Sequence, residues 1–294
     1  MSAAARVGLF AAGLAVVFAG AFAVGGAIDP DVDDGGGAAH ADGGGEAAHG
    51  GDSHRSAARR ADASTPARVA VTDRNFEPGA RETLAFRIVD RDGRTVEDFD
   101  VEHERAMHLI AVRRDLTGYQ HVHPRFDGRG GWTVEIEFPE AGPHRIYADF
   151  VTRGEPYTLS ADVDVTGDYA ARPLPAPAAT AAAGDGYEVA MARQGDERRF
   201  TVTKDGRPVD DIEPYLGARG HLVALAERDL AFEHVHPKDR ATKGREISFD
   251  VALGNPGSYR LYLQFKHDGE VRTAAFTEQV ERPARDHGED GHGH

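Results

Sequence analysis

The chain contains one histidine pattern twice. Residues 107–124 read MHLIAVRRDLTGYQHVHP and residues 220–237 read GHLVALAERDLAFEHVHP. In each copy a histidine opens an apolar run, and a His-Val-His-Pro motif ends the segment. The repeated histidines are His108, His121 and His123 in the first copy, and His221, His234 and His236 in the second. Side chains that persist while two copies diverge are under a local constraint, either of packing or of chemistry.

The spacing of these histidines suits a metal ion. Residues i and i+2 of a β-strand point to the same face, about 6.6–6.8 Å apart, so both imidazoles of a His-Val-His can converge on one ion. Pro124 and Pro237 favour extended backbone in the residue before them. If the strand opened by the first histidine lies beside the His-Val-His segment, three histidines meet at one end of each copy. Such a set, with a fourth position open to water or substrate, predicts Zn(II) or Cu(II) binding.

Two aspartates are candidates for orienting the imidazoles. Asp115 and Asp229 fall between the first and second histidine of their copies. By accepting a hydrogen bond from a ring N–H, each would turn the other ring nitrogen toward a metal. Their positions differ by one residue between the copies, which weakens this interpretation.

An architectural role is the alternative interpretation of the same histidines. His108 has the strand parity of Ile110 and Val112, and His221 has the same relation to its own strand. A histidine on an apolar face is commonly a hydrogen-bonded core residue, and two copies of one fold would repeat such a network. Catalysis is a third class, but it requires a general base beside the metal, and the sequence identifies none. We therefore predict that the protein is not an enzyme.

The histidines lie in segments that read as β-strands. From residue 66 the chain consists of short runs rich in branched and aromatic residues, separated by Gly, Pro and Asp. Asp92-Gly93 and Asp205-Gly206 are hairpin candidates at equivalent places in the two copies. Each copy predicts about seven short strands in roughly 100 residues, which is typical of an immunoglobulin-like sandwich. The predicted fold is all-β, with two tandem Ig-like β-sandwich domains.

Changes in composition divide the chain into six predicted segments. These are a signal anchor or transmembrane helix at 1–28, a disordered Gly/Ala/His linker at 29–65, a first sandwich at 66–169, a Pro/Ala linker at 170–186, a second sandwich at 187–282, and an acidic His-bearing tail at 283–294.

The N-terminal segment predicts export. Val7 to Ile28 is uncharged and mostly apolar, which is long enough to cross a hydrocarbon core of about 30 Å. Arg6 precedes it and acidic residues follow it, so the rest of the chain should be extracytoplasmic. A cleaved signal peptide is the alternative, since Gly-Gly-Ala at 25–27 offers small residues for cleavage. The expected location is the cell membrane, with a single span, or the exterior if the signal is removed.

Composition limits the chemistry and the partners. The net charge of −15 argues against nucleic acid and anionic membrane surfaces, because binding phosphate needs a basic surface. The absence of cysteine excludes disulfides, zinc–thiolate sites and blue-copper centres. With only three methionines, a thioether site for Cu(I) is also disfavoured. A metal would therefore be held by imidazole, carboxylate and backbone groups.

The paired HL…HVHP arrangement behind an export signal resembles a group of exported, membrane-anchored bacterial proteins of unknown function. These carry tandem Ig-like or cupredoxin-like β-sandwich domains of the kind used in extracytoplasmic heavy-metal handling. The resemblance covers about residues 66–282 and rests on the two histidine segments. It implies a β-sandwich and a bound copper or other divalent metal. The chain departs from copper carriers that use Met-rich or Cys-containing sites.

The sequence thus favours an extracytoplasmic protein that binds or buffers copper or zinc through its histidine triplets. Its partners would be the metal ion and a membrane transporter or oxidase that receives it. The alternative is a cell-surface structural or interaction module with architectural histidines.

Overall fold

The computed structural model describes residues 65–233, 235–237 and 246–281, with the backbone alone at residues 236 and 237. This part of the chain forms strands, turns and loops without an α-helix, which confirms the all-β fold class. Within it, no helix is long and apolar enough to span a membrane. The segments predicted at 1–28 and 283–294, and all but the last residue of the linker 29–65, lie outside the described residues.

The first domain is a sandwich of two sheets. Its described strands are β1 (Pro66–Val71), β2 (Asn75–Phe76), β3 (Arg81–Asp90), β4 (His108–Arg113), β5 (Gln120–Val122), β6 (Arg125–Phe126), β7 (Gly131–Glu137), β8 (Gly142–Thr152) and β9 (Glu155–Val165). One sheet has the order β1-β3-β7-β6 and the other β2-β9-β8-β4-β5. Leu84, Phe86 and Trp132 of the first sheet pack against Leu109 and Ile146 of the second.

The second domain repeats this plan. Its described strands are β10 (Thr180–Ala182), β11 (Tyr187–Gln194), β12 (Glu197–Lys204), β13 (Arg207–Pro208), β14 (His221–Ala226), β15 (Phe232–Glu233), β16 (His236–Pro237), β17 (Glu246–Asp250), β18 (Gly257–His267) and β19 (Glu270–Val280). One sheet has the order β10-β11-β12-β17-β16, with β13 paired to β12, and the other has the order β15-β14-β18-β19. The strand β10 lies within the segment 170–186 that was predicted as a linker, and it pairs with β11.

The strands β4 and β14 are equivalent, and each is buried on both faces. Leu109 and Ala111 of β4 point into the core of their own sandwich. Ile110 and Val112 point the other way, into a separate apolar cluster. A strand with two buried faces reads as a continuous apolar run rather than an alternating one, which explains the sequences HLIAVR and HLVALA.

The apolar cluster that contains Ile110 and Val112 joins the two domains. Its buried members come from both sandwiches: Ile110, Val112, Leu116, Tyr147, Val223, Leu225, Leu230 and Tyr262. The sheets that contain β4 and β14 therefore pack against each other through their outer faces. Burial of this apolar surface stabilises the paired arrangement at about 25 cal/mol per Å².

Two reciprocal hydrogen bonds accompany the apolar cluster. The Tyr147 hydroxyl donates to the Leu230 carbonyl and the Tyr262 hydroxyl donates to the Leu116 carbonyl, each at 2.6 Å. Leu116 and Leu230 both have positive φ, 62° and 58°, which is uncommon for a bulky residue. The same strained leucine in both copies presents its carbonyl to the tyrosine of the other domain, so the interface has an approximate two-fold relation.

Candidate metal centre

The first histidine triplet meets on the face of β4 and β5 that is turned toward the second domain. The two strands are antiparallel, with Ile110 opposite His121 and Leu109 opposite Val122. His108 at the start of β4 therefore lies beside the His-Val-His segment. One ring nitrogen each from His108, His121 and His123 lies within 4.8 Å of the other two.

The hydrogen bonds of two rings determine where their lone pairs point. Nδ1 of His121 lies 2.7 Å from Oε1 of Gln264, an acceptor, so Nδ1 carries the hydrogen and Nε2 carries a lone pair. Nδ1 of His108 lies 3.1 Å from this lone pair, and its Nε2 lies 3.3 Å from the carbonyl oxygen of Glu102. A neutral His108 carries one ring hydrogen, so it donates either to His121 or to Glu102, and donation to Glu102 leaves the Nδ1 lone pair facing Nε2 of His121.

Burial keeps the cluster neutral. Loss of solvent, with a smaller contribution from His108, lowers the pKa of His121 to about 3. The same two causes lower the pKa of His123 to about 4, with Arg105 adding to the effect. Burial also lowers the pKa of His108 below its usual range, although the Glu102 carbonyl opposes it. Neutral imidazole is the form that ligates a metal, so protons do not compete for this site near pH 7.

The third ring of the triplet has a nitrogen without a partner. Nε2 of His123 is buried and has no hydrogen-bond partner in the part of the chain that the structure describes. Its ring centroid lies 5.1 Å from that of His108 and 4.9 Å from that of His121. An unpaired buried polar atom is costly unless water or an ion satisfies it, so this nitrogen is available as a ligand.

Of the second triplet, the structure describes only the side chain of His221. His221 packs against the first triplet, with its ring centroid 4.6 Å from that of His121 and stacked 6.0 Å from that of His108. Its Nδ1 is buried and, in the described part of the chain, unpaired. His234 lies outside the described residues, and the side chain of His236 is not described. The prediction that three histidines meet at one end of each sandwich stays a prediction for the second copy, while His221 of that copy meets His108 across the interface between the domains.

Two depressions reach the histidine cluster. One is lined by His108 and His221 together with Glu102, His103 and Asp149. The other is lined by His121 and His123 with Tyr215, Leu216, Gln264 and Lys266. Residues of both domains therefore line both depressions.

The predicted role is wrong for Asp115 and stays a prediction for Asp229. Asp115 binds the guanidinium of Arg113, with Nε–Oδ1 at 2.9 Å and Nη2–Oδ2 at 2.6 Å, and it also accepts from Thr117 and the backbone of Arg172. Asp229 accepts a hydrogen bond from the backbone N–H of Ala231. Among the described residues neither carboxylate contacts an imidazole of the triplets, and both lie in the turn that follows the apolar strand.

The groups that do orient the rings were missed by sequence reasoning. They are the side chain of Gln264 and the backbone carbonyl of Glu102. Every residue has a backbone carbonyl, so the sequence cannot single out that of Glu102. The side chain of Gln264 could have been noticed from its position. It occupies the position equivalent to Asp149, and these two polar residues lie directly opposite His221 and His108 in the register of their sheets.

Comparison with known proteins identifies a family. The profile of the family described as "Domain of unknown function (DUF8832)" matches the chain over residues 62–167 and again over residues 181–282. No curated protein matches the chain.

Several solved structures are similar at low identity. The Escherichia coli adhesin FdeC is 14% identical over 71% of this chain, with a TM-score of 0.25, and the chain covers 62% of that structure, less than two thirds of its length. Domains 4–9 of the surface-layer protein SbsC are 15% identical over 74% of this chain and 31% of theirs, with a TM-score of 0.24. The titin immunoglobulin tandem A164–A165 is 10% identical over 72% of this chain and 96% of its own, with a TM-score of 0.20. Similarity at this level does not bear on function.

Proposed function

The chain belongs to the DUF8832 family through both of its domains, and we propose that it binds a divalent metal ion, Zn(II) or Cu(II), at His108, His121 and His123. As an exported protein, it would hold the ion outside the cytoplasm and transfer it to a membrane transporter or oxidase. The role is binding or buffering rather than catalysis.

The observation that carries the proposal is the convergence of one ring nitrogen each from His108, His121 and His123 within 4.8 Å of one another. Nδ1 of His108 and Nε2 of His121 lie 3.1 Å apart, and Nε2 of His123 is buried without a partner among the described residues. Burial lowers the pKa of all three rings, so they are neutral near pH 7 and have lone pairs to offer a metal ion. An ion bound here leaves the contacts of His121 with Gln264 and of His108 with Glu102 in place.

The chemistry of the donors limits the choice of metal. Imidazole nitrogen suits zinc and copper, and no thiolate or thioether takes part. Two nitrogens bound to one tetrahedral zinc ion at about 2.0–2.1 Å lie about 3.3 Å apart, close to the 3.1 Å between the His108 and His121 nitrogens. The unpaired Nε2 of His123 supplies a third ligand, and a fourth position is left for water or for a group of the receiving partner.

A metal titration of the double variant His121→Ala/His123→Ala tests this proposal. We expect the wild-type protein to bind Zn(II) or Cu(II) tightly and the variant to lose one equivalent of that binding while keeping its far-ultraviolet circular dichroism spectrum. The control is His103→Ala, since His103 is an exposed neighbour of the cluster, outside the triplet. Unchanged stoichiometry in the double variant would rule out the proposal.

A cell-surface module with architectural histidines is the second candidate. It is favoured by the position of the rings, which share the outer face of β4 with the apolar cluster that joins the domains. The adhesin and the surface-layer protein named above agree with this candidate, but similarity at their TM-scores is not an argument for it. Under this candidate, His108→Ala lowers the unfolding temperature, and added metal leaves that temperature unmoved in the wild-type protein.

A further inference from the structure

The second domain contributes a polar side chain to the histidine cluster of the first. Gln264 lies in β18 and is 6% exposed. Its Oε1 accepts the hydrogen of His121 Nδ1 at 2.7 Å, across the interface between the domains. Its Nε2 lies 3.4 Å from the Thr273 hydroxyl oxygen on the neighbouring strand. The amide is thus held within its own sheet while it contacts a ring of the other domain.

The backbone around Gln264 is packed closely enough to fix its position. Gly220, just before the strand β14, passes so near to β18 that a Cβ atom there would lie 2.8 Å from the Gln264 carbonyl oxygen. The strands β14 and β18 are paired directly, with His221 opposite Gln264. A side chain at position 220 would push the two strands apart, so glycine permits this approach.

The equivalent residue of the first domain does not make the same contact among the described residues. Asp149 occupies the position of Gln264, opposite His108, and accepts a hydrogen bond from the Thr158 hydroxyl at 2.6 Å. The two acceptors therefore have matching partners within their own sheets, at Thr158 and Thr273. Only for Gln264 does the described structure show a further hydrogen bond to a ring of the opposite domain.

We propose that Gln264 is a positioning residue of the metal site, and that this site consequently spans both domains. The inference rests on the proposed metal binding. By holding the hydrogen on Nδ1 of His121, Gln264 leaves the lone pair on Nε2, where it faces His108. Groups that hydrogen-bond the second nitrogen of a ligating histidine fix its tautomer and orientation, and their loss costs about 10–100-fold in metal affinity.

Three variants of the full chain test the inference, with Zn(II) affinity measured by competition against a chromophoric chelator. Gln264→Leu removes the acceptor, and we expect affinity to fall at least tenfold. Gln264→Glu keeps an acceptor, and a carboxylate raises the basicity of the ring, so affinity should be retained or increased. Gln279→Leu is the matched control, since Gln279 is exposed on the adjacent strand of the same sheet and should not affect affinity.

The outcomes separate this inference from the proposed function. Wild-type affinity in Gln264→Leu would overturn the positioning role while leaving metal binding intact. Failure of the wild-type protein to bind both Zn(II) and Cu(II), or undiminished binding in His121→Ala/His123→Ala, would remove the proposed function itself. If Gln264→Leu does not fold, Gln264→Met replaces it, because methionine keeps the length of the side chain without the amide oxygen, and wild-type affinity in that variant would overturn the positioning role. The nitrogen-15 shifts of His121 give a second readout, and we expect the hydrogen to leave Nδ1 in Gln264→Leu.

Discussion

Two imidazole nitrogens that face each other at 3.1 Å share either a proton or a metal ion, and their surroundings decide which. A solvent-exposed pair near pH 6 takes the proton readily, because the usual histidine pKa is about 6.5. His121 is surrounded by His108, His123 and His221, and burial lowers its pKa to about 3. The rings therefore stay neutral near pH 7, and no imidazolium forms there to compete with a metal.

The neutral rings should make the metal-free protein sensitive to acid. The pKa values of His121 and His123 are about 3 and about 4 in the folded state, against a usual value of 6.5. As the pH falls below 6.5 the unfolded chain takes up protons that the folded rings do not, so the free energy of unfolding decreases. Each extra proton in the unfolded state contributes a slope of about 1.4 kcal/mol per pH unit. We expect this loss between pH 6.5 and about 4, measured by denaturant unfolding in the presence of a chelator.

The variant His121→Gln/His123→Gln provides the comparison for that measurement. Without the two titrating rings, its free energy of unfolding should vary less steeply with pH over the same interval. Equal slopes in the two proteins would mean that both rings keep their usual pKa in the folded state. The conclusion that burial lowers these pKa values would then be wrong.

Sequence reasoning could find the three converging histidines but not the groups that orient two of their rings. The His-Val-His spacing and the apolar strand predicted that His108, His121 and His123 would converge, since strand geometry alone brings them to one face. The partner of His121 depends on which domain faces β5, and no local pattern encodes that. Gln264 is a long way from His121 in the sequence and in the other domain, so only the packed molecule reveals the contact.

The strands β4 and β14 show how double burial appears in a sequence. Their residues HLIAVR and HLVALA lack the alternation of a strand with one face in solvent. We predicted two sandwiches from the number of short strands, and the unbroken apolar runs were a signal that these two strands were covered on both sides. That signal indicates that a partner surface exists, but it does not say that the partner is the other copy.

The turns after these strands differ in a way that permits a matched experiment. Arg113 and Asp115 form a buried ion pair, with side chains 5% and 2% exposed. Arg228 and Asp229 occupy the same turn in the second copy, with side chains 84% and 51% exposed. Removing one partner of a buried pair leaves an uncompensated charge, whereas an exposed pair contributes little.

We expect Asp115→Ala to lower the free energy of unfolding by about 3 kcal/mol. The loss arises because Arg113 stays buried without its carboxylate partner, although Glu140 retains one contact with it. Asp229→Ala is the control in the second copy and should cost under about 1 kcal/mol. Denaturant titration measures both values, and losses of equal size would mean that the buried pair does not stabilise the first domain.

The two domains of this single chain pack against each other through equivalent surfaces, as the two subunits of a symmetric dimer do. Tyr147 reaches the Leu230 carbonyl and Tyr262 reaches the Leu116 carbonyl in the same way. Stacking of Tyr119 on Tyr262 at 4.0 Å has its counterpart in the contact of Phe232 with Tyr147 at 5.5 Å. Such reciprocity is the property of an interface between like surfaces related by a two-fold axis.

This arrangement brings the first triplet and His221 of the second into one region at the interface between the domains. The repeat in the sequence indicated two equivalent triplets, and equivalence alone does not say whether two copies lie apart or face each other. Because β4 and β14 pack through the faces that carry the first histidine of each triplet, His108 and His221 stack near the axis. The first triplet is thereby enclosed by residues of the second domain rather than open at the end of its own sandwich.

The most direct test of the metal site is anomalous X-ray scattering from crystals of the protein grown with Zn(II), recorded at the zinc absorption edge. We predict an anomalous peak about 2.0–2.1 Å from Nδ1 of His108, Nε2 of His121 and a ring nitrogen of His123, with Gln264 still bound to Nδ1 of His121. The contradicting result would be the absence of a peak at saturating Zn(II), with His108 and His121 hydrogen-bonded to each other. These histidines would then be architectural.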